Sequence, residues 1–523
     1  MSAEPEATLP EVIAVATDPT WKKMRTKVRK LVREEKEDAE IIDLLREDPA
    51  TKDCPDLEEA VRSLIDAARE ALTNEKNTAL EELNAKHAVV IWSGRTVVLT
   101  EAAGGAFTLS SFQDLKNWYS NRFVGKRLMG AWWLRQRQRR QYESVVFAPE
   151  KTAPGVYNLW KGFGVTPAPG DCSLFLALVK DIICCGDETL YKFVMAWCAD
   201  LFQNPCDRPG TSIVLRGASG VGKGTFARIL GDLVSRAHFQ HVTKSEHLVG
   251  RFNAHLAHAL VVFCDESFFA GDKAHEGVLK AFITEPTHSI EFKGKDLIRV
   301  DNFARLIIAS NKEWVVPAEM DDRRFCMLDV ANTRAKDTEY FGALATQMKN
   351  GGHEALLHYL LNYDRSGVNL RKPPETDAKL DQVIRSMTPV TQFWYRRLND
   401  GCQIATQGEW KTEVLTGDLF DEYARSAGVS GESRRGHETS FGMRLAKMCP
   451  GVHKRQATDR NGNATKVYVF PDLEQCRKEF SKENGGRGFV WDADQGAVRT
   501  ERDTLREAVR KGVEDGLGGV KEM

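Results

Sequence analysis

Hydrophobic and polar positions change period several times along the chain, and each change marks an element. Near the start, Trp21, Met24, Val28 and Leu31 fall at helical spacing among Lys22, Lys23, Arg25, Lys27, Arg29, Lys30 and Arg33, followed by the acidic Glu34-Glu35-Lys36-Glu37-Asp38. This predicts a basic amphipathic helix, suited to a solvated face or to contact with nucleic acid or a partner. A second helix is predicted from about Leu57 to Leu83, with Val61, Leu64, Ala68 and Leu72 on one side. At His87 the helical period stops. His87–Trp92 and Thr96–Leu99 flank Ser93-Gly94-Arg95 and read as a hairpin. Phe112 to Phe123 reads as helix, and Tyr157–Phe163 as a short strand between Pro154 and Pro167. Residues 171–203 are apolar at helical spacing, with Phe175, Leu178, Val179, Ile182, Phe193, Val194 and Trp197.

Three continuous apolar runs then appear, Ser212–Leu215, Leu260–Cys264 and Leu306–Ala309, as buried parallel strands require. Helices are predicted over Glu354–Tyr363 and over 381–399, the latter with Phe393, Trp394 and Tyr395. From about Thr412 come a helix with Leu419, Phe420 and Tyr423, a second helix over Thr439–Met448, and two strands, Val452–Gln456 and Lys466–Phe470. The strands flank Asp459-Arg460-Asn461-Gly462-Asn463, a turn-forming cluster.

The first of the apolar runs leads into Gly217-Ala218-Ser219-Gly220-Val221-Gly222-Lys223-Gly224-Thr225. This is P-loop spacing, and Phe226, Ile229, Leu230, Leu233 and Val234 predict a helix opening at the lysine. Glycines let backbone N–H groups curl round a phosphate, and the helix terminus adds its dipole. Lys223 would reach the β- and γ-phosphates of ATP. The hydroxyl that normally follows the lysine comes one place late, at Thr225, so Gly224 is a departure from the usual pattern.

The second run ends in Asp265-Glu266, where one acid can hold Mg²⁺ and the other can take a proton from the attacking water. The third ends in Ser310-Asn311, whose amide can hold that water. Asp265 lies about 40 residues past Lys223 and Asn311 about 45 further on, an order consistent with the P-loop ATPase pattern. Asp321-Asp322-Arg323-Arg324-Phe325 follows. One arginine can stabilise the γ-phosphate of a neighbouring subunit while the other pairs with Asp321 or Asp322. Between the second and third runs, alternating residues from Ser289 to Val300 surround a Lys293-Gly294-Lys295-Asp296 tip. Two cations on a hairpin suit a phosphate backbone or a solvated turn.

Composition narrows the class. The chain is 42% hydrophobic and 28% charged with a net charge of −1, so nucleic-acid contact must come from local patches. One such patch runs from Arg434 to Lys466, with eight Lys or Arg against two acids. Another is Arg135-Gln136-Arg137-Gln138-Arg139-Arg140 after Trp132 and Trp133, which suits single-stranded nucleic acid or an exposed helix end. The eleven cysteines are scattered without a C-x-x-C pair, so a zinc site is not expected. With no secretory signal or membrane-length run recognised, the expectation is a reduced, cytoplasmic, soluble protein, in the host cytoplasm if phage-encoded.

The P-loop, the Asp265-Glu266 strand, the Lys-tipped hairpin, the Asn311 strand and the Arg323-Arg324 pair fall within about 110 residues. Together they resemble the superfamily 3 helicases of viruses, phages and plasmids, of the AAA+ class. From about Asn84 to Phe470 the chain is similar to prophage primase–helicase-like proteins with a helicase-like domain of unknown function. The phrases concerned are Tyr157–Phe163, Gly271-Asp272-Lys273, Glu291–Lys295 and Trp314-Val315-Val316-Pro317. The resemblance implies a ring, usually hexameric, with ATP sites between subunits and Lys293 and Lys295 lining a DNA channel. The C-terminal helix, helix and hairpin read as a winged helix, similar to the DNA-binding module of these helicases, contacting DNA through Arg434, Arg435, Arg444, Lys447, Lys454, Arg455 and Lys466 or serving protein contacts alone. No primase domain is recognised. Its metal-binding D-x-D is matched only by Asp492-Ala493-Asp494 in a Gly-rich tail, so a separate primase or polymerase partner is expected.

The expected fold class is α/β, an AAA+ P-loop core with a helical N-terminal region and a C-terminal winged helix. The expected divisions are 1–85, partly disordered; 86–170, small α/β; 171–210, helical collar; 211–365, ATPase; 366–404, linker and helix; 405–480, winged helix; and 481–523, flexible tail. The expected activity is ATP-dependent, Mg²⁺-requiring DNA unwinding or translocation on single-stranded and also duplex DNA. Lys223, Asp265, Glu266, Asn311 and Arg323 or Arg324 would be catalytic, with Thr225 and Asp265 on the metal. The alternatives are a nucleotide-dependent regulatory or defence switch and a small-molecule kinase.

Overall fold

The computed structural model describes residues 19–49, 57–150, 152–251, 253–266, 273–291, 297–429, 438–458, 464–485, 489 and 491. The chain divides into two compact units, Met1–Lys161 and Gly162–Met523.

The first unit opens with α1 (Pro19–Arg33), α2 (Asp38–Arg46) and α3 (Leu57–Lys86). Met24, Val28, Leu31 and Val32 of α1 share a core with Ile41, Ile42 and Leu45 of α2 and Val61, Ile65, Ala68 and Leu72 of α3. The helix α2 is not evident in the apolar pattern. It has only nine residues, and its buried face is Ile41, Ile42 and Leu45 within a highly charged stretch. The far end of α3 packs Ala79 and Leu83 against a small sheet. That sheet has β1 (His87–Trp92), β2 (Arg95–Glu101), β3 (Phe107–Ser110) and, later, β6 (Gln141–Tyr142), in the order β3-β2-β1-β6. Trp92 pairs with Arg95, so the hairpin closes on Ser93-Gly94, both at positive φ, as a two-residue primed turn requires.

The helix predicted from Phe112 is shorter than expected. α4 (Phe112–Trp118) stops before Tyr119, and Phe123 instead begins β4 (Phe123–Val124), paired with β5 (Arg127–Leu128). Next, α5 (Met129–Trp133) buries Trp132 and Trp133. β7 (Ser144–Val146) and β8 (Val156–Asn158) pair in parallel and complete the unit.

The second unit begins with helices α6 (Ser173–Ala177) and α7 (Glu188–Gln203), the latter capped by the Asp187 carboxylate and buried from Phe193 to Phe202. Its main sheet is parallel throughout. It comprises β9 (Ser212–Arg216), β10 (Phe239–Val242), β11 (Val261–Asp265), β14 (Arg305–Ser310) and β15 (Phe325–Asp329) in the order β10-β11-β14-β9-β15. The flanking helices include α8 (Lys223–Val234), α9 (Glu246–Val249) and α10 (Lys273–Thr284). β12 (Thr287–Ile290) and β13 (Ile298–Asp301) form the antiparallel pair expected between the second and third apolar runs. α11 (Thr338–Gln347) and α12 (His353–Leu361) follow β15.

The helix predicted over 381–399 is in fact two, α13 (Asp377–Ser386) and α14 (Pro389–Asp400). Thr388 is held extended before Pro389, and its hydroxyl caps the Thr391 N–H, so the chain restarts a helix there. Then come β16 (Glu413–Leu415), α15 (Thr416–Val429), α16 (Glu438–Met448), β17 (His453–Thr458), β18 (Ala464–Val469) and α17 (Leu473–Glu483). The three strands form an antiparallel sheet in the order β16-β18-β17. One aromatic core holds this part together, with Phe393 and Trp394 of α14 packed with Tyr423, Phe441, Tyr468 and Phe470. Among the described residues no helix is long and apolar enough to cross a membrane.

Candidate nucleotide-binding site

The register of the parallel sheet decides where its chemistry meets. Asp265 pairs with Ala309, Ala309 with Leu215, and Ser310 with Arg216. The carboxyl ends of β11, β14 and β9 are therefore level and adjacent, and Asp265-Glu266, Asn311 and the loop from Gly217 leave the sheet at one edge. This is where open parallel sheets place ligands. The expected strand–loop–helix order around Lys223 is present.

Gly217 N–H donates to the Ser310 carbonyl at 3.1 Å, tying the loop to the middle strand. Gly222, at φ +103°, precedes α8, and a Cβ there would stand 3.0 Å from Leu178 Cδ1 and 3.1 Å from Phe341 Cε1. Conformation and crowding both demand glycine. The Lys223 ammonium donates to the Gly217 and Ala218 carbonyls at 2.7 and 2.6 Å. Burial lowers its pKa, while Asp265 and Glu266 pull it back up. Both carboxylates thus act electrostatically on Lys223.

A cavity of about 390 Å³ opens at this edge. Ser219 to Thr225 line it together with Asp265, Glu266, Ser310 and Asn311, so the residues singled out in three separate motifs share one space. Glu266 holds φ +55°, an unusual backbone for a non-glycine residue. His241 Nε2 lies 3.4 Å from the Asp265 carboxylate. Arg228 occupies the region beside Gly224. A Cβ at 224 would come within 2.9 and 3.2 Å of its two guanidinium nitrogens.

Sequence reasoning misses part of the cavity wall. Arg228, Lys336, Asp337, Thr338 and Phe341 also line it. The last four arrive because the chain, after β15, returns over the P-loop: Val330 N–H donates to Arg216 O at 2.8 Å and Lys336 N–H to Gly220 O at 3.0 Å. Asp337 caps α11 by accepting from the Tyr340 N–H at 2.9 Å. An Asp-Thr-Glu opening signals a helix start, but not its place beside Lys223.

Arg323 and Arg324 lie at the opposite edge. Phe325 pairs with Ser212 at the amino end of β9, and the Ser212 N–H donates to Arg324 O at 2.7 Å. A five-residue strand spans roughly 16 Å, so neither arginine is beside its own chain's P-loop. Arg324 Nη1 donates to buried Asp322 at 3.2 Å. Arg323 is exposed and without an ion pair among the described residues.

The candidate DNA-binding residues divide. Lys293, Lys295, Arg434 and Arg435 lie outside the described residues, as do Asp492-Ala493-Asp494, residues 1–18 and most of 481–523. Lys447 pairs with Glu483 at 2.9 Å, and Arg455 reaches both Glu413 oxygens at 2.6 and 2.7 Å. Lys454 lies over the Tyr468 ring at 5.1 Å. Arg444 and Lys466 are exposed. In the first unit the Trp132–Trp133 platform is buried, and Arg140 turns inward to Asn84 O and Glu101 at 2.9 and 2.7 Å.

Residues 215–324 match a family of unknown function (DUF5906). The matched segment runs from the P-loop strand through the candidate catalytic acids to Arg324. Over 252 residues the chain is 28% identical to the DNA primase-polymerase of Nitratiruptor phage NrS-1. That match spans 43% of this chain but only 34% of the relative, about a third of its length. The chain also shares a fold with the solved apo structure of the NrS-1 C-terminal region, residues 305–718, at a TM-score of 0.54 and 18% identity. There it covers 75% of this chain and 98% of the other. A second form of that region, the A form, gives 0.54 at 17% identity. The chain is therefore related to a phage primase-polymerase, and its fold is shared with that protein's C-terminal region. Because that relative is itself named a primase-polymerase, it gives no support to a primase carried on a separate chain.

Proposed function

We propose that this chain is an ATP-hydrolysing DNA translocase or helicase of the superfamily 3, AAA+ kind, acting in replication of phage or mobile-element DNA in the host cytoplasm. One observation carries the reading. Three adjacent parallel strand ends deliver Lys223, Asp265-Glu266 and Asn311 to the same cavity. Lys223 and the loop amides bind the triphosphate, Glu266 takes the proton from water, and Asn311 orients that water.

The cavity's oxygen donors, the Asp265 carboxylate and the Thr225 hydroxyl, fit Mg²⁺, which takes one or two carboxylates plus substrate phosphates. When bound, the ion would neutralise charge developing on the phosphates.

The exposure of Arg323, far from its own P-loop, supports a trans role in a head-to-tail ring, with a hexamer as the expected closure. The succession α14, β16, α15, α16, β17, β18 supports the winged-helix reading of the C-terminal part, with Arg444 and Lys466 exposed to meet DNA. The NrS-1 relative, a primase-polymerase by name, supports a replication setting.

The test is ATP hydrolysis by the purified chain with and without single-stranded DNA across a salt series. Stimulation that fades with salt is expected, because phosphate contacts release counterions. Hydrolysis indifferent to DNA would shift the reading to a nucleotide-driven switch, and absence of hydrolysis would overturn it.

A further inference from the structure

We propose that the first unit carries its own binding surface for single-stranded nucleic acid, built on Trp118 and Phe123. Trp118 is 77% exposed and Phe123 60%, with Leu128 at 39%. Trp118 ends α4. Two turns follow, Ser120 N–H to Asn117 O and Arg122 N–H to Tyr119 O, both at 3.2 Å, and Phe123 then opens β4. Leu128 lies directly across from Phe123, while Val124 on the other side of the strand is buried. Alternation along a strand therefore turns Phe123 and Leu128 outward together. The start of α5 presses on α4: a Cβ at Gly130 would sit 3.2 Å from Lys116 Cα. Lys116 thus stands beside the same turn.

Charge selects the partner. Between Phe112 and Arg140 there are eight Lys or Arg and one acid, Asp114, and that acid closes a capping box with Ser111. Arg122 and Arg140 are held by Glu82 and Glu101, and Lys126 and Arg127 both reach Glu35 at 3.3 Å. Lys116, Arg135 and Arg137 are exposed and without an ion pair among the described residues. Exposed aromatic rings with the unpaired Lys116 on the same helix, and Arg135 and Arg137 further along the same basic segment, match a strand whose bases can stack and whose phosphates can be neutralised. A duplex hides its base faces and would use only the cations. An ordinary protein partner would leave the positive excess uncompensated.

The surface does not rest on the ATPase reading, and its test needs no nucleotide. The full chain is titrated into fluorescein-labelled dT20, rU20 and a 20-base-pair duplex at two salt concentrations. Trp118→Ala with Phe123→Ala should weaken single-strand affinity by about 5- to 150-fold per stacking residue and leave duplex affinity unchanged. The dT20 and rU20 arms identify which sugar is preferred. An unchanged circular dichroism spectrum and melting midpoint show that the variant is folded. If it does not fold, Trp118→Phe replaces it: dT20 should then quench the wild type's tryptophan emission more than the variant's, at similar affinity. Equal single-strand affinity in wild type and folded double variant, equal quenching in wild type and Trp118→Phe, or a change only in self-association would each overturn the proposal.

Discussion

At the scale of single residues, burial sets the consequences. Lys223 is 8% exposed and its ammonium is bonded to two loop carbonyls, which phosphate oxygens would replace in the proposed function. Lys223→Ala should abolish measurable ATP turnover, and hydrolysis near the wild-type rate would remove the cavity from consideration. Away from the site, Asp200 joins two arginines. It accepts from fully buried Arg305 at 2.7 Å and also from Arg365. Truncation would leave Arg305 as an uncompensated buried charge, so Asp200→Ala should cost about 3–5 kcal/mol, read as a lower denaturant midpoint with unchanged slope. His288 differs, because neither ring nitrogen has a hydrogen-bond partner among the described residues and burial lowers its pKa to about 4. His238 is lowered to about 4 as well, again chiefly by burial. Both are neutral in the fold at pH 7. As pH falls below the ordinary value of about 6.5, the unfolded chain takes up protons that the fold refuses until about pH 4. Stability should therefore decline across that window and not above it. His288→Phe should shallow the decline and leave stability at pH 7.5 equal or higher, since it removes two orphaned polar atoms. An unchanged acid slope in urea titrations at pH 7.5 and 5 would refute that assignment.

At the scale of elements, what is legible depends on whether the cause is local. Val261–Cys264 and Leu306–Ala309 can be read as buried strands because both faces are covered, leaving continuous apolar runs. The strand–loop–helix order around Gly217–Thr225 is legible for a similar reason, since its glycines and lysine act within nine residues. The break at Met387-Thr388 is masked by apolar positions that keep helical spacing on both sides. The wall from Lys336 to Phe341 is illegible because backbone bonds from Val330 to Arg216 and from Lys336 to Gly220 create it across more than a hundred residues. Sheet order is likewise non-local. That the Asn311 strand lies between the P-loop strand and the acid strand emerges only from pairing, and it gives Asn311 its place between Lys223 and Glu266. Asn311→Ala should therefore leave nucleotide affinity within a few fold and cut the hydrolysis rate about 10²–10³-fold, as loss of one preorganised polar group does elsewhere. A KM effect without a kcat effect would show that Asn311 binds nucleotide without orienting water.

At the scale of the whole molecule, the proposed role of Arg323 calls for a second copy. Lys223 and Arg323 lie at opposite edges of one sheet, so a site containing both must be shared between two chains. This makes a prediction that no intrachain role can imitate. Lys223→Ala would destroy the proposed phosphate site but leave Arg323 intact, whereas Arg323→Ala would do the reverse and should lower turnover about 10³–10⁵-fold. Each variant alone should be nearly inactive. Mixed and allowed to exchange subunits, they form some interfaces in which an intact P-loop meets an intact arginine. Activity should reappear in proportion to those interfaces, peak near equal amounts and fall on dilution as the assembly dissociates. Arg324→Ala should behave differently. Its guanidinium bonds Asp322 within the same chain, so its loss should lower stability without being complemented by Lys223→Ala. If mixtures stay inactive while both variants assemble normally, Arg323 does not act across a subunit interface. If Arg324→Ala is the variant that complements, the trans contact belongs to that arginine and the Asp322 bond must open on assembly.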